Sequence, residues 1–280
     1  MDSAAFPLFQ VYTGRGEQTW RRCPRCRSFS DTGAYHPVSE VEHTRTLPWG
    51  QAESGVQLNV FKENMFRSVL RLLRRYARPG GALLDVGCSY GGFLELAQAE
   101  GYNARGYDIV PEAVERVRKL GIACDVACSV AEIEAPDSSL DIISVLDCNC
   151  YWPDQVHELK AIRQKLRSNG ILIMRVVDKS WLLKIGLKAR KISTGIGNLI
   201  CRRAVNDHRV SIPVGSFLRI LRDLDFEILY AAPKGALHSD RSQFPVKLAF
   251  LIGAVLWPVS KRNFAPGFLI CARKAPDKTA

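Results

Sequence analysis

The chain has 280 residues, 47% of them hydrophobic and 24% charged, a balance that excludes a disordered or fibrous protein and allows one sizeable core. Thirty-nine Lys and Arg against 28 Asp and Glu leave a net charge of +11, which favours an anionic partner, substrate or surface without choosing among them. Nine cysteines, an odd number, and a Met-Asp-Ser-Ala-Ala start with no basic or apolar leader point to a reducing cytoplasm rather than to secretion with disulfides.

Taken in chain order, residues 1–55 read as an irregular appendage holding one close cysteine pair, Cys23 and Cys26. Thiolates at that spacing suit zinc, but a structural site needs four ligands. His36 and His43 would complete one only with a gap between the histidines wider than a zinc finger's, so turn cysteines without metal are the favoured reading and zinc the lesser one. Over 56–77 the residues Val60, Phe61, Met65, Val69, Leu72, Leu73 and Tyr76 recur at three and four, which predicts an amphipathic helix ending at Pro79-Gly80-Gly81. Its arginines read as a solvated face.

Short apolar runs at 82–86, 104–107, 122–127, 140–146 and 171–177 then alternate with helical periods at 92–100, 111–120 and 153–166. Strand, helix, strand at this spacing predicts a parallel sheet covered on both faces by helices, the doubly wound α/β architecture. A helix over 213–224 and strands over 226–232 and 267–273 follow. Two segments interrupt this late part. Residues 179–205 hold seven Lys or Arg and no Asp or Glu, and 244–259 is an apolar stretch broken by Lys247 and ended by Pro258, short of the ~18 apolar residues that span a bilayer.

The first strand runs into Gly87-Cys88-Ser89-Tyr90-Gly91-Gly92 and then into a helix. Glycines at such a turn let a ligand reach backbone N–H groups at a helix N-terminus, where negative charge is favoured. Dinucleotide enzymes and purely structural turns use the same device. Asp85 precedes the turn, where a carboxylate can accept from a cationic ligand or orient water, and Asp108 ends the second strand, where two acceptor oxygens suit a ribose diol.

Four stretches now stand in order: Leu-Leu-Asp85-Val-Gly87-Cys-Ser-Tyr-Gly91-Gly-Phe, Gly-Tyr-Asp108-Ile-Val-Pro-Glu-Ala-Val, Pro136-Asp-Ser-Ser-Leu-Asp141-Ile-Ile and Leu166-Arg-Ser-Asn-Gly170-Ile-Leu-Ile. Together they resemble the successive motifs of class I S-adenosylmethionine-dependent methyltransferases. Cys-x-x-Cys ahead of the domain, Asp207-His208 and Asp225-Phe226-Glu227-Ile228 resemble a bacterial branch that methylates small molecules. The resemblance implies a Rossmann-like, mostly parallel sheet with the final strand antiparallel, and S-adenosylmethionine as cofactor. It further implies that Asp85, Gly87 and Gly91 shape the methionine pocket, with Cys88 and Ser89 of the same turn among the cofactor-binding residues, and that Asp108 holds the ribose. Ile109 is expected on the adenine face, Ser129 and Val130 at the adenine edge, and Asp147 beside the reacting methyl. Ser89 stands where the family's middle glycine falls, and Cys150-Tyr151 where many relatives carry Glu-His, so no role attached to that pair transfers.

Methyl transfer from a sulfonium needs an oriented, desolvated nucleophile, and a base only for a hydroxyl or protonated amine. His208 is the candidate base, with a surface or helix-entry histidine as the plainer reading. Tyr151 is the candidate hydrogen-bonding group on the acceptor, against simple packing with Trp152. The expected organisation is an appendage at 1–55, a methyltransferase domain at 56–274 and a tail at 275–280, with insertions 179–205 and 233–262 covering the acceptor side. The expected function is methylation of oxygen or nitrogen on a small-molecule acceptor by a cytoplasmic protein; 179–205 and 244–259 suit a membrane-touching lid that admits an amphiphilic acceptor, with 244–259 packed on the sheet and a solvated basic loop as the plainer reading. The alternatives are an idle methyltransferase-like binding subunit and a nucleic-acid methyltransferase. Against the latter, aromatics are not interleaved with the basic cluster as base-stacking platforms.

Overall fold

The structure is a computed structural model that describes residues 7–13, 15–205, 208–234, 248, 251–253, 255–257, 265 and 267–276. Seven strands form the main sheet: β4 (Ala82–Val86), β5 (Asn103–Asp108), β6 (Cys124–Val126), β7 (Leu140–Leu146), β8 (Leu166–Val177), β10 (Phe226–Pro233) and β11 (Gly267–Lys274). Their order is β10-β11-β8-β7-β4-β5-β6. The pairs from β8 across to β6 are parallel, and β11 runs antiparallel to both of its neighbours. Strands buried on both faces read as continuous apolar runs, which is why Leu83, Leu84, Ile142, Ile143, Leu172 and Ile173 are all fully enclosed.

Helices α2 (Ala52–Leu73), α3 (Gly92–Ala99) and α4 (Pro111–Lys119) cover one face through Phe66, Val69, Phe93, Leu94, Val114 and Val117. Helices α5 (Gln155–Lys165) and α8 (Val214–Asp223) cover the other through Leu159, Ile162, Phe217 and Leu221. The chain order reverses beside β4, between β5 and β7, so the carboxyl ends of these strands border the crevice that such sheets offer to ligands. Helix α2 differs from its expected bounds at both ends. It starts four residues earlier, after a 3-10 turn at Pro48–Gly50. It stops at Leu73 because the next amides bond three residues back, Arg75 to Leu72 and Tyr76 to Leu73, a tightened last turn that periodicity does not reveal.

The expectation that the first 55 residues are irregular is corrected. Strands β1 (Pro7–Thr13), β2 (Gly16–Arg22) and β3 (Phe29–Asp31) form an antiparallel meander, followed by α1 (Pro37–Thr46). β3 then pairs with β9 (Val210–Ser211), almost 180 residues further on. Gln18 and Trp20 do alternate inward, but over runs this short and charged the alternation is not legible. The basic insertion is a helical hairpin, α6 (Ser180–Ala189) and α7 (Thr194–Val205). Its Leu183, Cys201, Ala204 and Val205 share one apolar cluster with Phe9, Val11, Trp20 and Phe29 of the N-terminal sheet. Of the apolar segment 244–259, residues 248, 251–253 and 255–257 are helical. The rest of it, Asp207 and residues 277–280 lie outside the described residues.

Candidate functional site

β4 ends in a turn that only glycine can make comfortably. Gly87 has φ +70°, and a Cβ there would stand 2.7 Å from that of Cys148. Gly91, at φ +84°, is the N-cap of α3 in the left-handed conformation. Between them the Ser89 amide donates to Oδ2 of Asp108 at 2.8 Å, and the Val110 amide donates to Oδ1 at 2.9 Å. Each oxygen of this buried carboxylate thus takes one N–H and keeps acceptor capacity for a second donor. Burial raises the Asp108 pKa against those amide bonds. Beneath the turn, Ser144 Oγ donates to Asp85 at 2.6 Å. Burial pushes the Asp85 carboxyl up to about 7, with Asp108 adding to the shift and Ser144 and Lys62 opposing it.

A cavity of about 350 Å³ opens at these strand ends. Gly87, Ser89, Asp108, Ile109, Asp147, Tyr151 and His208 all line it. Asp85, Cys88, Gly91, Ser129 and Val130 lie off its wall. Ser129 Oγ and the Val130 amide both donate to Glu158 of α5, each at 2.8 Å. Cys88 is buried with its Sγ 3.5 Å from that of Cys124. A glycine turn with two buried carboxylates beside it fits a ligand carrying a diol and positive charge, and the cavity is large enough to take it.

Several wall residues were not anticipated. Tyr35, Glu40, Thr44 and Trp49 come from the N-terminal segment, Lys62 from α2 and Arg175 from β8. Arg175 carries the one signal that sequence offered, a lone cation inside the run Ile-Leu-Ile-Met-Arg-Val-Val. It forms an ion pair with Asp147 and also donates through Nε to the Lys234 carbonyl at 3.1 Å. Asp147 has φ +69°, and Lys62 Nζ lies 3.8 Å from its Oδ2. Burial alone would push the Asp147 carboxyl up, but Arg175, Lys62 and the charge of His208 hold it below its ordinary value.

The Tyr151 ring meets His208 edge-on at 5.6 Å and Trp49 at 6.4 Å, with the Arg15 guanidinium 5.9 Å from its centre. Burial pushes the Tyr35 hydroxyl up to about 12, so it stays protonated as a donor. Cys23 and Cys26 sit in a turn where the Cys26 amide donates to Cys23 Sγ at 3.5 Å and Cys26 Sγ lies 3.0 Å from Ser28 Oγ. Among the described residues no three metal-ligating side chains gather.

Residues 60–231 match the family model described as a methyltransferase domain. A 102-residue stretch is 32% identical to the 2-methyl-6-phytyl-1,4-hydroquinone methyltransferase of Synechocystis sp., covering 34% of this chain and 32% of that protein. A 105-residue stretch is 30% identical to the 27-O-demethylrifamycin SV methyltransferase of Amycolatopsis mediterranei, covering 35% of this chain and 39% of that one. The matched stretch thus spans about a third of the first relative and two fifths of the second. Among solved structures, an S-adenosylmethionine dependent methyltransferase from Mesorhizobium loti superposes with a TM-score of 0.51 at 18% identity, over 72% of this chain and 96% of that one. This likeness bears on the fold alone. Because the family model covers more than half of the chain, and the strand order with its antiparallel β11 agrees, the chain belongs to the methyltransferase domain family and has the class I, S-adenosylmethionine-dependent methyltransferase fold.

Proposed function

We propose that the protein transfers a methyl group from S-adenosylmethionine to an oxygen or nitrogen of a small amphiphilic acceptor, in the cytoplasm and against a membrane surface. The observation that carries this reading is a single cavity lined by Asp108 and Ser89, which we assign to the cofactor end, together with Tyr151 and His208, which we assign to the acceptor end. An amphiphilic acceptor accords with the phytylated hydroquinone named for the Synechocystis relative. Among the described residues no helix is long and apolar enough to cross a membrane, so the proposed membrane contact is peripheral.

When bound, the cofactor supplies an activated methyl on a positively charged sulfur. Asp108 holds the ribose, the turn from Gly87 to Gly91 shapes the methionine pocket with Asp85 beneath it, and Ile109 packs on the adenine. Ser129 and Val130 support the adenine edge from behind, through Glu158. Asp147, held ionised by Arg175 and Lys62, fixes the boundary between the two ends. Trp49 and Tyr35 exclude water, Tyr151 orients the acceptor, and His208 takes its proton. Asp85 gives the binding step a pH dependence. Positive charge in the site favours its ionised form, whose pKa without ligand is about 7. Cofactor affinity is therefore expected to fall, by up to about tenfold per pH unit, as pH drops below about 7, with proton release on binding. Calorimetry between about pH 5.5 and 8 in buffers of different ionisation enthalpy checks this, and a flat profile would reassign the charge.

The test of the function is cofactor binding followed by turnover to S-adenosylhomocysteine with hydroquinone, phenol and amine acceptors. Asp108→Ala should weaken binding by roughly 1.5–3 kcal/mol, the range for hydrogen bonds to a charged group. Unchanged affinity in that variant would remove the ribose assignment. Tight cofactor binding with no turnover on any acceptor class would favour the idle binding subunit instead.

A further inference from the structure

We propose that the α6–α7 hairpin is a docking element for an anionic lipid bilayer, with an apolar stripe that enters the interface and a collar of cations that meets the headgroups. This deepens the membrane-surface part of the function proposed above and rests on it, although the surface can be tested without any methyl transfer. The hairpin is amphipathic twice over. Its inner side is spent on the N-terminal sheet through Leu183, Cys201, Ala204 and Val205.

Its outer side is apolar where a solvated hairpin would be polar. Ile192 in the connecting turn is 92% exposed, and Ile196 and Leu199 on α7 are 59% and 51% exposed. Ile196 and Leu199 fall on one face of α7 at helical spacing, and Ile192 adds a third exposed apolar side chain in the turn just ahead of that helix, so we treat the three as one stripe. Lys184, Lys188 and Lys191 flank it and are exposed, as are Arg202 and Arg203 towards its base. No acidic residue occurs between 179 and 205. An apolar stripe alone would suit many partners, but with cations only around it the complementary surface is anionic. A bilayer surface supplies both halves of that match, negative headgroups over an apolar interior.

The hairpin is also rigid enough to present the stripe as a unit. A Cβ at Gly186 would stand 2.6 Å from Cys201 Sγ, and one at Gly197 would stand 2.2 Å from Arg190 Cγ, so the two helices touch at glycines. β11 begins beside the end of β8 from which the hairpin departs, since Val177 pairs with Gly267. Earlier in the chain than β11, Leu251, Ile252, Val255 and Leu256 are exposed, while Trp257 turns inward to stack edge-on with Phe268 at 4.6 Å. Arg175 joins this end of β8 to the cavity, since it binds both Asp147 and the Lys234 carbonyl. An amphiphilic acceptor leaving the bilayer there would meet the acceptor end of the site.

The experiment is co-sedimentation of the full chain with vesicles of phosphatidylglycerol and phosphatidylcholine, and with phosphatidylcholine alone. Each cation near an anionic surface adds about fivefold to affinity. Binding to the mixed vesicles should therefore exceed binding to neutral ones by more than tenfold, and it should weaken steeply between about 0.1 M and 0.5 M salt. Exchanging the stripe (Ile192→Ser, Ile196→Ser, Leu199→Ser) should abolish binding, and exchanging the collar (Lys188→Gln, Lys191→Gln) should reduce it by tenfold or more. All of these side chains are exposed, and S-adenosylmethionine binding by calorimetry reports that the variants are folded. Equal, negligible sedimentation with both vesicle types at low salt overturns the proposal, as does a stripe variant that binds like the wild type. A wild-type dimer that the stripe exchange converts to a monomer, with no vesicle binding in either, assigns the surface to a second copy and also overturns it. Intact cofactor binding in any of these cases leaves the methyl-transfer reading standing, so the two failures are distinguishable.

Discussion

Replacing His208 with alanine is expected to lower the maximal rate of methyl transfer by about 10²–10⁴-fold, the usual contribution of a general base, while leaving cofactor affinity unchanged. The expectation rests on position. His208 lines the same cavity as Asp108, its ring meets Tyr151 edge-on at 5.6 Å, and its amide is fixed to the Val205 carbonyl at 2.9 Å. An imidazole there can accept a proton from an acceptor hydroxyl without touching the groups proposed to hold the ribose. The measurement is the rate at saturating acceptor across pH, with cofactor affinity by calorimetry beside it. A variant that keeps near-normal turnover would move the base elsewhere or make it unnecessary. One that loses affinity and rate together would mark His208 as part of the cofactor end.

A comparably large effect is expected one residue on, this time in stability. The Arg209 side chain is 7% exposed and holds the N-terminal segment onto the domain. It binds Glu40 at 2.6 Å, donates to the carbonyls of Gly33 at 2.8 Å and Ala34 at 3.1 Å, lies 3.6 Å from Asp31 and stacks over Tyr35 at 5.5 Å. Arg15 binds the other oxygen of Glu40 at 2.5 Å. Removing one partner from a buried ionic cluster leaves uncompensated groups behind and costs about 3–5 kcal/mol. Arg209→Ala is therefore expected to lose that much in urea unfolding. Because Tyr35 and Trp49 wall the cavity, it should also weaken acceptor binding more than cofactor binding. A loss below about 0.5 kcal/mol would show that the β3–β9 pairing and the apolar cluster hold the segment without the ion pairs.

The part of this protein that was legible in its sequence is the part whose physics is local. The central strands β4, β7 and β8 announce themselves because a strand buried on both faces is apolar at most positions, and α4 and α8 do so because one face of each must be. The turn after β4 is legible because its backbone geometry admits little but glycine at positions 87 and 91, and Asp108 because it ends the next strand. The four motifs in order were enough to expect the methyltransferase fold, and the family match bears that expectation out.

Only the tertiary structure decided the rest of the cavity wall. Tyr35, Glu40 and Trp49 reach it because β3 finds β9 and Glu40 finds Arg209, 169 positions away, and nothing in a three-residue strand or one glutamate names so distant a partner. Arg175 showed as an anomaly in an apolar strand, yet its pairing with Asp147 depends on the register of β7 against β8. The basic segment 179–205 displayed its composition but not its packing, since its buried half is determined by a sheet built from the opposite end of the chain. Burial, periodicity and turn geometry constrain each residue through its neighbours in sequence, whereas a site assembled from many separate segments is specified only by contacts that form when the whole chain folds.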